Sequence, residues 1–141
     1  MTWVVSMFSP TRHFGFCASS EGKELAFHAS AFHRLKPGGP GPISGESVEV
    51  GEVRQGDKGP YTDRVSRLVE PVIHFGTIKS YDATKGWGFV QSMREGPIFL
   101  HSSDLSEPWL PVIGTNVQFY EGKKRDRKRA CWVRPAPSGL E

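Results

Sequence analysis

"KGWGFVQSMREGPIFLHSSDL", Lys85 to Leu105, is the stretch that decides the fold. Two short segments within it alternate: Trp87 and Phe89 in the first, Phe99 and His101 in the second. In an extended chain, residues i and i+2 share a face. Gly88 and Val90 then oppose the aromatic pair, and Ile98 and Leu100 oppose Phe99 and His101. Each segment reads as a strand with an aliphatic side suited to a core and an aromatic side the core does not need.

Working outward, sliding the chain by 73 residues sets 5–32 against 78–105 without a gap. Thr11/Thr84, Gly15/Gly88, Phe16/Phe89, Ser19/Ser92, His28/His101 and Ser30/Ser103 are identical. Val5/Ile78, Phe8/Tyr81, Arg12/Lys85, Phe14/Trp87 and Leu25/Ile98 keep their character. So long a period is a whole small domain duplicated, not a solenoid unit. The expected organisation is a first domain over 1–69, a linker over 70–74 stiffened by Pro71, a second domain over 75–135 and a tail over 136–141.

Each half reads as five strands, near 3–8, 13–18, 24–28, 46–54 and 61–68, then near 75–81, 86–91, 97–101, 115–121 and 128–134. Sixteen Gly and 11 Pro across 141 residues imply many turns, and no window carries a sustained helical stripe. "LKPGGPGPISG" (35–45) excludes helix and central strand between the third and fourth strands of the first half; "SEPWLPVIG" (106–114) stands there in the second. Five short strands in about seventy residues favour closure, which removes aggregation-prone edges. The expected class is all-β, two five-stranded antiparallel OB-type barrels in tandem.

At 37% hydrophobic and 23% charged residues, the composition suggests neither disorder nor a membrane span. "MTWVVSMFSP" has no basic leader and too short an apolar run for a signal peptide, so a cytoplasmic setting is expected. Cys17 and Cys131 fit no ligand spacing and read as small buried hydrophobes in a reducing compartment. Net charge is +3. Residues 1–70 balance eight Lys+Arg against eight Asp+Glu, whereas 71–141 set ten against seven, so the whole excess lies in the second half. Most of it is in "EGKKRDRKRACWVR" (121–134).

These residues resemble the cold-shock domain family, a small five-stranded barrel of the oligonucleotide/oligosaccharide-binding fold. "KGWGFV" (85–90) satisfies that family's K-G-[FYW]-G-F-[IV] motif and "IFLH" (98–101) its [VI]-F-[VL]-H motif. "GTIKSY" (76–81) follows the opening pattern, with Ser80 and Tyr81 where tryptophan and phenylalanine are usual. The first half is a looser copy: "RHFGFC" (12–17) has His13 at a glycine position, "LAFH" (25–28) has Ala26 for the surface phenylalanine, and Met7 stands at the tryptophan position. "GDKGPYTDRV" (56–65) is similar to the family's G-x-K-G-P-x-A-x-x-V, a segment that the basic run replaces in the second half.

An uncovered aromatic patch leaves apolar area in water, and a protein keeps one where a partner covers it. Unpaired bases are flat and apolar on their faces, and stacking is worth about 1–3 kcal/mol per base. The candidate stacking residues are Tyr81, Trp87, Phe89, Phe99 and His101, with Phe8, Phe14, Phe16 and His28 in the first half. Lys58, Lys79, Lys85, Lys123, Lys124, Arg125, Arg127 and Lys128, with Arg129 beside them, would meet phosphates. Duplexes hide their base faces, so single-stranded RNA or DNA is the expected partner, bound with low sequence specificity. The resemblance implies a nucleic-acid chaperone or regulator. A second reading makes the neutral first barrel a protein-interaction or self-association module using its Pro-rich loop. Trp109 is divided between packing and stacking, while Trp3 and Trp132 read as structural. Catalytic residues, cofactors, metal ligands and a small-molecule substrate are not expected: Asp104 near His101 is too common a pairing to imply acid–base work, and His28 and His33 fit no ligand motif.

Overall fold

A computed structural model describes residues 2–106, 109–124 and 127–136. The chain divides into two compact units, Met1–Glu70 and Pro71–Glu141. In the second, β9 (Ile73–Asp82), β10 (Trp87–Ser92), β11 (Gly96–His101), β12 (Asn116–Lys124) and β13 (Arg127–Pro135) form a closed barrel in the order β10-β11-β13-β12-β9. Its pairings are antiparallel except where β11 meets β13 in parallel, with Phe99 opposite Arg129. Ile78, Val90, Ile98, Leu100, Val117, Phe119, Ala130 and Val133 fill the interior.

The first unit keeps the plan with shorter pieces: β1 (Trp3–Ser9), β2 (Phe14–Ser19), β3 (Glu24–His28), β4 (Phe32–His33), β5 (Ser47–Val50), β6 (Val53–Gly56), β7 (Gly59–Thr62) and β8 (Val65–Arg67). They lie in one curled sheet of order β4-β8-β5-β1-β2-β3-β7-β6. The expected fourth and fifth strands are each broken, at 51–52 and at 63–64, and β4 is added, so eight pieces stand where five were expected. Gly51 N donates to Arg64 O across the two breaks at 2.8 Å. Trp3, Val5, Cys17, Leu25, Phe27, Phe32, Val48 and Val65 make this core.

The 73-residue offset survives in the register. Phe14 pairs His28 and Phe16 pairs Ala26, as Trp87 pairs His101 and Phe89 pairs Phe99. A bulge interrupts β1 at Ser6 and β9 at Lys79, the same position in each copy. His13 holds φ +60° where Gly86 holds +78°, so the histidine at the family's glycine position adopts the glycine's left-handed conformation. At Gly88 a Cβ would stand 2.0 Å from Ser80 O and 2.6 Å from Tyr81 Cα; at Gly15 it would stand 2.4 Å from Met7 O. The glycine of the motif is therefore demanded by the neighbouring strand's backbone, not by a ligand.

The Pro/Gly-rich loop of the first unit is tied down by a buried cation. Arg67 donates to Glu46 Oε1 and Oε2 (2.8 Å each), to Pro40 O (2.9 Å) and to Gly41 O (2.7 Å). Its guanidinium also lies 4.9 Å from the Phe32 ring centroid. Both cysteines are buried thiols. No helix of the described residues is long and apolar enough to cross a membrane.

Candidate nucleic-acid interface

The two hairpin strands β10 and β11 present the aromatic side foreseen by alternation. Gly88, Val90, Ile98 and Leu100 are buried, while Trp87 is 38% exposed and Phe89, Phe99 and His101 are half-buried. Phe99 is the hub: its centroid lies 6.1 Å from Trp87, 6.0 Å from Phe89 and 6.5 Å from His101. Trp87 and Phe89 meet edge to face at 6.1 Å, within the range where such pairs attract. The rings thus hold one another in place while keeping part of their surface in solvent.

His101 has a structural role besides its place on that face. Its Nδ1 accepts from Ser103 N at 3.1 Å and lies 2.9 Å from Ser103 Oγ, capping the 3-10 turn over 102–104. His28 repeats this with Ser30 at the same distances. Accepting at Nδ1 leaves Nε2 as the protonated, donating nitrogen.

Beside the rings stands the basic hairpin. β12 and β13 run further than expected, so Lys123 faces Lys128 and Lys124 faces Arg127 across the ladder. Like charges directly opposite are destabilising. Lys128 is offset by Glu95 at 2.5 Å and by Glu121 at 3.6 Å. The contact with Glu95 raises the Lys128 ammonium above its ordinary range. Glu121 is pushed up by burial and by Glu95 beside it, whereas its hydrogen bond and Lys128 hold Glu95 down. Lys128 is thus firmly charged but already engaged. Lys123, Lys124 and Arg127 are exposed, and a groove of about 410 Å³ is lined by Phe99, Lys124, Arg127 and Arg129. Arg125 lies outside the described residues. Lys79, on the bulge, and Lys85, in the β9–β10 turn, are exposed on the same barrel.

Tyr81 and Phe8 are half-buried. Both pack against the cores, and Phe8 stacks on Phe27 at 6.0 Å. The bulge two residues earlier breaks the period of two and turns both rings toward the interior. Trp109 packs as well, against the barrel core, with Nε1 donating to Val133 O at 3.3 Å.

In the first unit Phe14 and Phe16 meet edge to face at 5.7 Å and remain half-buried, and His28 is exposed. Lys58 is exposed in the β6–β7 turn. Ala26 leaves a gap where Phe99 stands in the other copy, yet its parallel partner is Tyr61, a ring that sequence reading passed over. Tyr61 is half-buried and lies close over Gly56, where a Cβ would come within 3.2 Å of the ring. The aromatic lost from β3 is thus matched by one on β7. Asp104 and Arg129 were also missed as a pair: Arg129 Nε and Nη2 reach Asp104 Oδ2 at 2.8 and 2.7 Å. Burial raises the Asp104 carboxyl, outweighing the lowering effect of Arg129. Among the described residues, no cluster of His, Cys, Asp and Glu is arranged to hold a metal.

No family model matches the chain, and no curated protein matches it. Solved structures do. One, described as drosophila Unr CSD456, is 16% identical with a TM-score of 0.46. The alignment covers 99% of this chain and 62% of that one, so the chain spans less than two thirds of its length. The chain's own strand order and register define its fold: two OB-type units in tandem, one a closed five-stranded barrel and the other a curled sheet, bearing cold-shock-like motifs at equivalent positions.

Proposed function

We propose that the protein binds single-stranded nucleic acid, with the second unit providing most of the affinity. The observation that carries this reading is the juxtaposition of a half-exposed ring cluster with facing cations on one barrel. Trp87, Phe89 and Phe99 offer flat apolar surface; Lys123, Lys124 and Arg127 offer positive charge that the hairpin places in mutual repulsion. A polyanion with unstacked bases relieves both at once, because its phosphates offset the repulsion and its bases cover the rings. Paired strands hide their base faces, so binding favours the unpaired form and shifts a hairpin's equilibrium toward it. Such a protein acts as a chaperone that keeps transcripts open, or as a regulator of their use.

Titration of the full chain with a uridine octamer, followed by tryptophan emission, tests the proposal directly. Quenching is expected with the single strand and about tenfold weaker binding with a stable hairpin stem of equal length. The logarithm of the binding constant should fall with that of salt at about −0.7 per phosphate contacted. Equal affinity for stem and single strand, or a response flat in salt, overturns it.

The neutral first unit as a protein-docking module gains no support from its Pro-rich loop, whose backbone is bound to Arg67. Its Phe14, Phe16 and Tyr61 suit the same ligand chemistry as the second unit, without the cations.

A further inference from the structure

The position facing the hub ring differs between the two copies. On the first it is Tyr61 beside Ala26; on the second it is Arg129 beside Phe99. Arg129 is held more firmly than the rest of the basic run. Its Nε and Nη2 both donate to Asp104 Oδ2, and its Cζ lies 5.9 Å from the Phe99 centroid. At that separation the guanidinium stands over only part of the ring, and Phe99 is half-buried, so ring surface is left for a base. A guanidinium carries five N–H donors in a planar fork. Two point to Asp104, and of the remaining three, one on Nη1 and one on Nη2 are parallel and directed away from the carboxylate. Arg129 lines the same groove as Phe99, Lys124 and Arg127.

We infer that Arg129, positioned by Asp104, reads the edge of the base stacked on Phe99 and selects guanine over adenine and uracil there. Guanine presents two adjacent acceptors, O6 and N7, that match a two-pronged donor. Adenine places the N6 amino donor where O6 would be and so meets donor with donor. Uracil offers O4 without a second acceptor in the matching place, whereas cytosine, with O2 and N3 adjacent, also meets the fork, so the discrimination is against adenine and uracil. In a single strand the guanine edge is accessible, since nothing pairs or stacks over it in a groove. Lys124 and Arg127, at the other side of the groove, are placed for the flanking phosphates. Lys could not replace Arg129, because an ammonium lacks the planar fork. This inference rests on the proposed single-strand binding and adds one selective position to an otherwise tolerant surface.

The test uses the full chain, the all-uridine octamer and uridine octamers carrying one central guanine, adenine or 7-deazaguanine, titrated by tryptophan emission. Wild type should bind the guanine strand at least about fivefold more tightly than the adenine strand and the all-uridine octamer, the low end for a bidentate pair. The 7-deazaguanine strand, which lacks the N7 acceptor, should lose most of that preference without any change to the protein. Arg129→Lys keeps the charge and should bring the guanine-to-adenine affinity ratio close to one. Asp104→Asn should lower the same ratio, a readout that a purely structural Asp104 would not move. Equal affinities for the guanine, adenine and all-uridine strands overturn the inference and leave the proposed function standing. So does a ratio that survives Arg129→Lys, or full retention with 7-deazaguanine. Failure of every strand to bind overturns both.

Discussion

Phe99→Ala is the perturbation on which the binding argument turns. Phe99 touches Trp87, Phe89 and His101 within the ring cluster and borders the cationic groove. Its truncation removes a stacking platform worth about 1–3 kcal/mol per base, which at 1.4 kcal/mol per decade is a loss of about fivefold to about 150-fold. The upper part of that range applies because Trp87 and Phe89 each lose a ring neighbour and with it some of their fixed orientation. Stability must be separated from binding. Phe99 is half-buried on the outer face, so its removal should cost less than the about 3–5 kcal/mol of a core phenylalanine. Urea denaturation of both proteins shows whether the variant is folded under the titration conditions. Affinity for a uridine octamer is then compared with wild type and with Phe14→Ala, a ring truncation in the cation-poor unit. The expected order of loss is Phe99→Ala well above Phe14→Ala. A folded Phe99→Ala protein that binds within twofold of wild type, or equal losses from the two variants, would refute the reasoning.

Gly88→Ala should prevent the second barrel from closing, because the new methyl meets backbone at 2.0 Å and 2.6 Å; loss of near-ultraviolet dichroism from that unit's three tryptophans checks it. Arg67→Met leaves Glu46 without its cation in a largely buried site and should cost about 3–5 kcal/mol in urea unfolding, with faster amide exchange across 39–46. Tyr61→Ala, placed in a Phe99→Ala background so that the first unit carries more of the remaining signal, should weaken residual binding about fivefold or more; no change would remove Tyr61 from the interface. Burial, reinforced by Glu46, pushes the Cys17 thiol up to about 12, so with Cys131 also buried neither should react with a thiol reagent at pH 8 until the chain is unfolded; a fast-reacting thiol in native protein contradicts this.

Whatever depends on local alternation was legible before any coordinates. Trp87, Phe89, Phe99 and His101 share a face because strands have a period of two, and the offset of 73 carried the same reading to Phe14, Phe16 and His28. The repeated His-x-Ser, at His28–Ser30 and His101–Ser103, was visible as identities, though its capping chemistry was not drawn from them. The packing of Phe8 and Tyr81 against the cores was not legible, because a bulge shifts the alternation by one residue and leaves no residue type as its mark. Tyr61 and the Arg129–Asp104 pair were missed for another reason. Both depend on a parallel contact of the third strand, with β7 in the first unit and with β13 in the second, across 35 and 30 residues of chain (61 − 26 and 129 − 99), and no nearby pattern encodes it.

The duplication therefore separates what the fold needs from what the ligand needs. Both copies keep the bulge, the buried glycine at 15 or 88, the left-handed turn at 13 or 86 and the histidine cap. Each has a steric or hydrogen-bonding cause within the barrel, so their repetition says nothing of binding. The copies part at two places that no such cause governs: the closing pair, Ala26–Tyr61 against Phe99–Arg129, and the tip of the fourth hairpin, with Lys58 alone against a ladder of facing cations. Both lie on the outer surface beside the rings. A scaffold held constant while its outer chemistry diverges is what two units would need to grip the same kind of strand differently, the first by stacking with little charge and the second by stacking, charge and a fixed guanidinium.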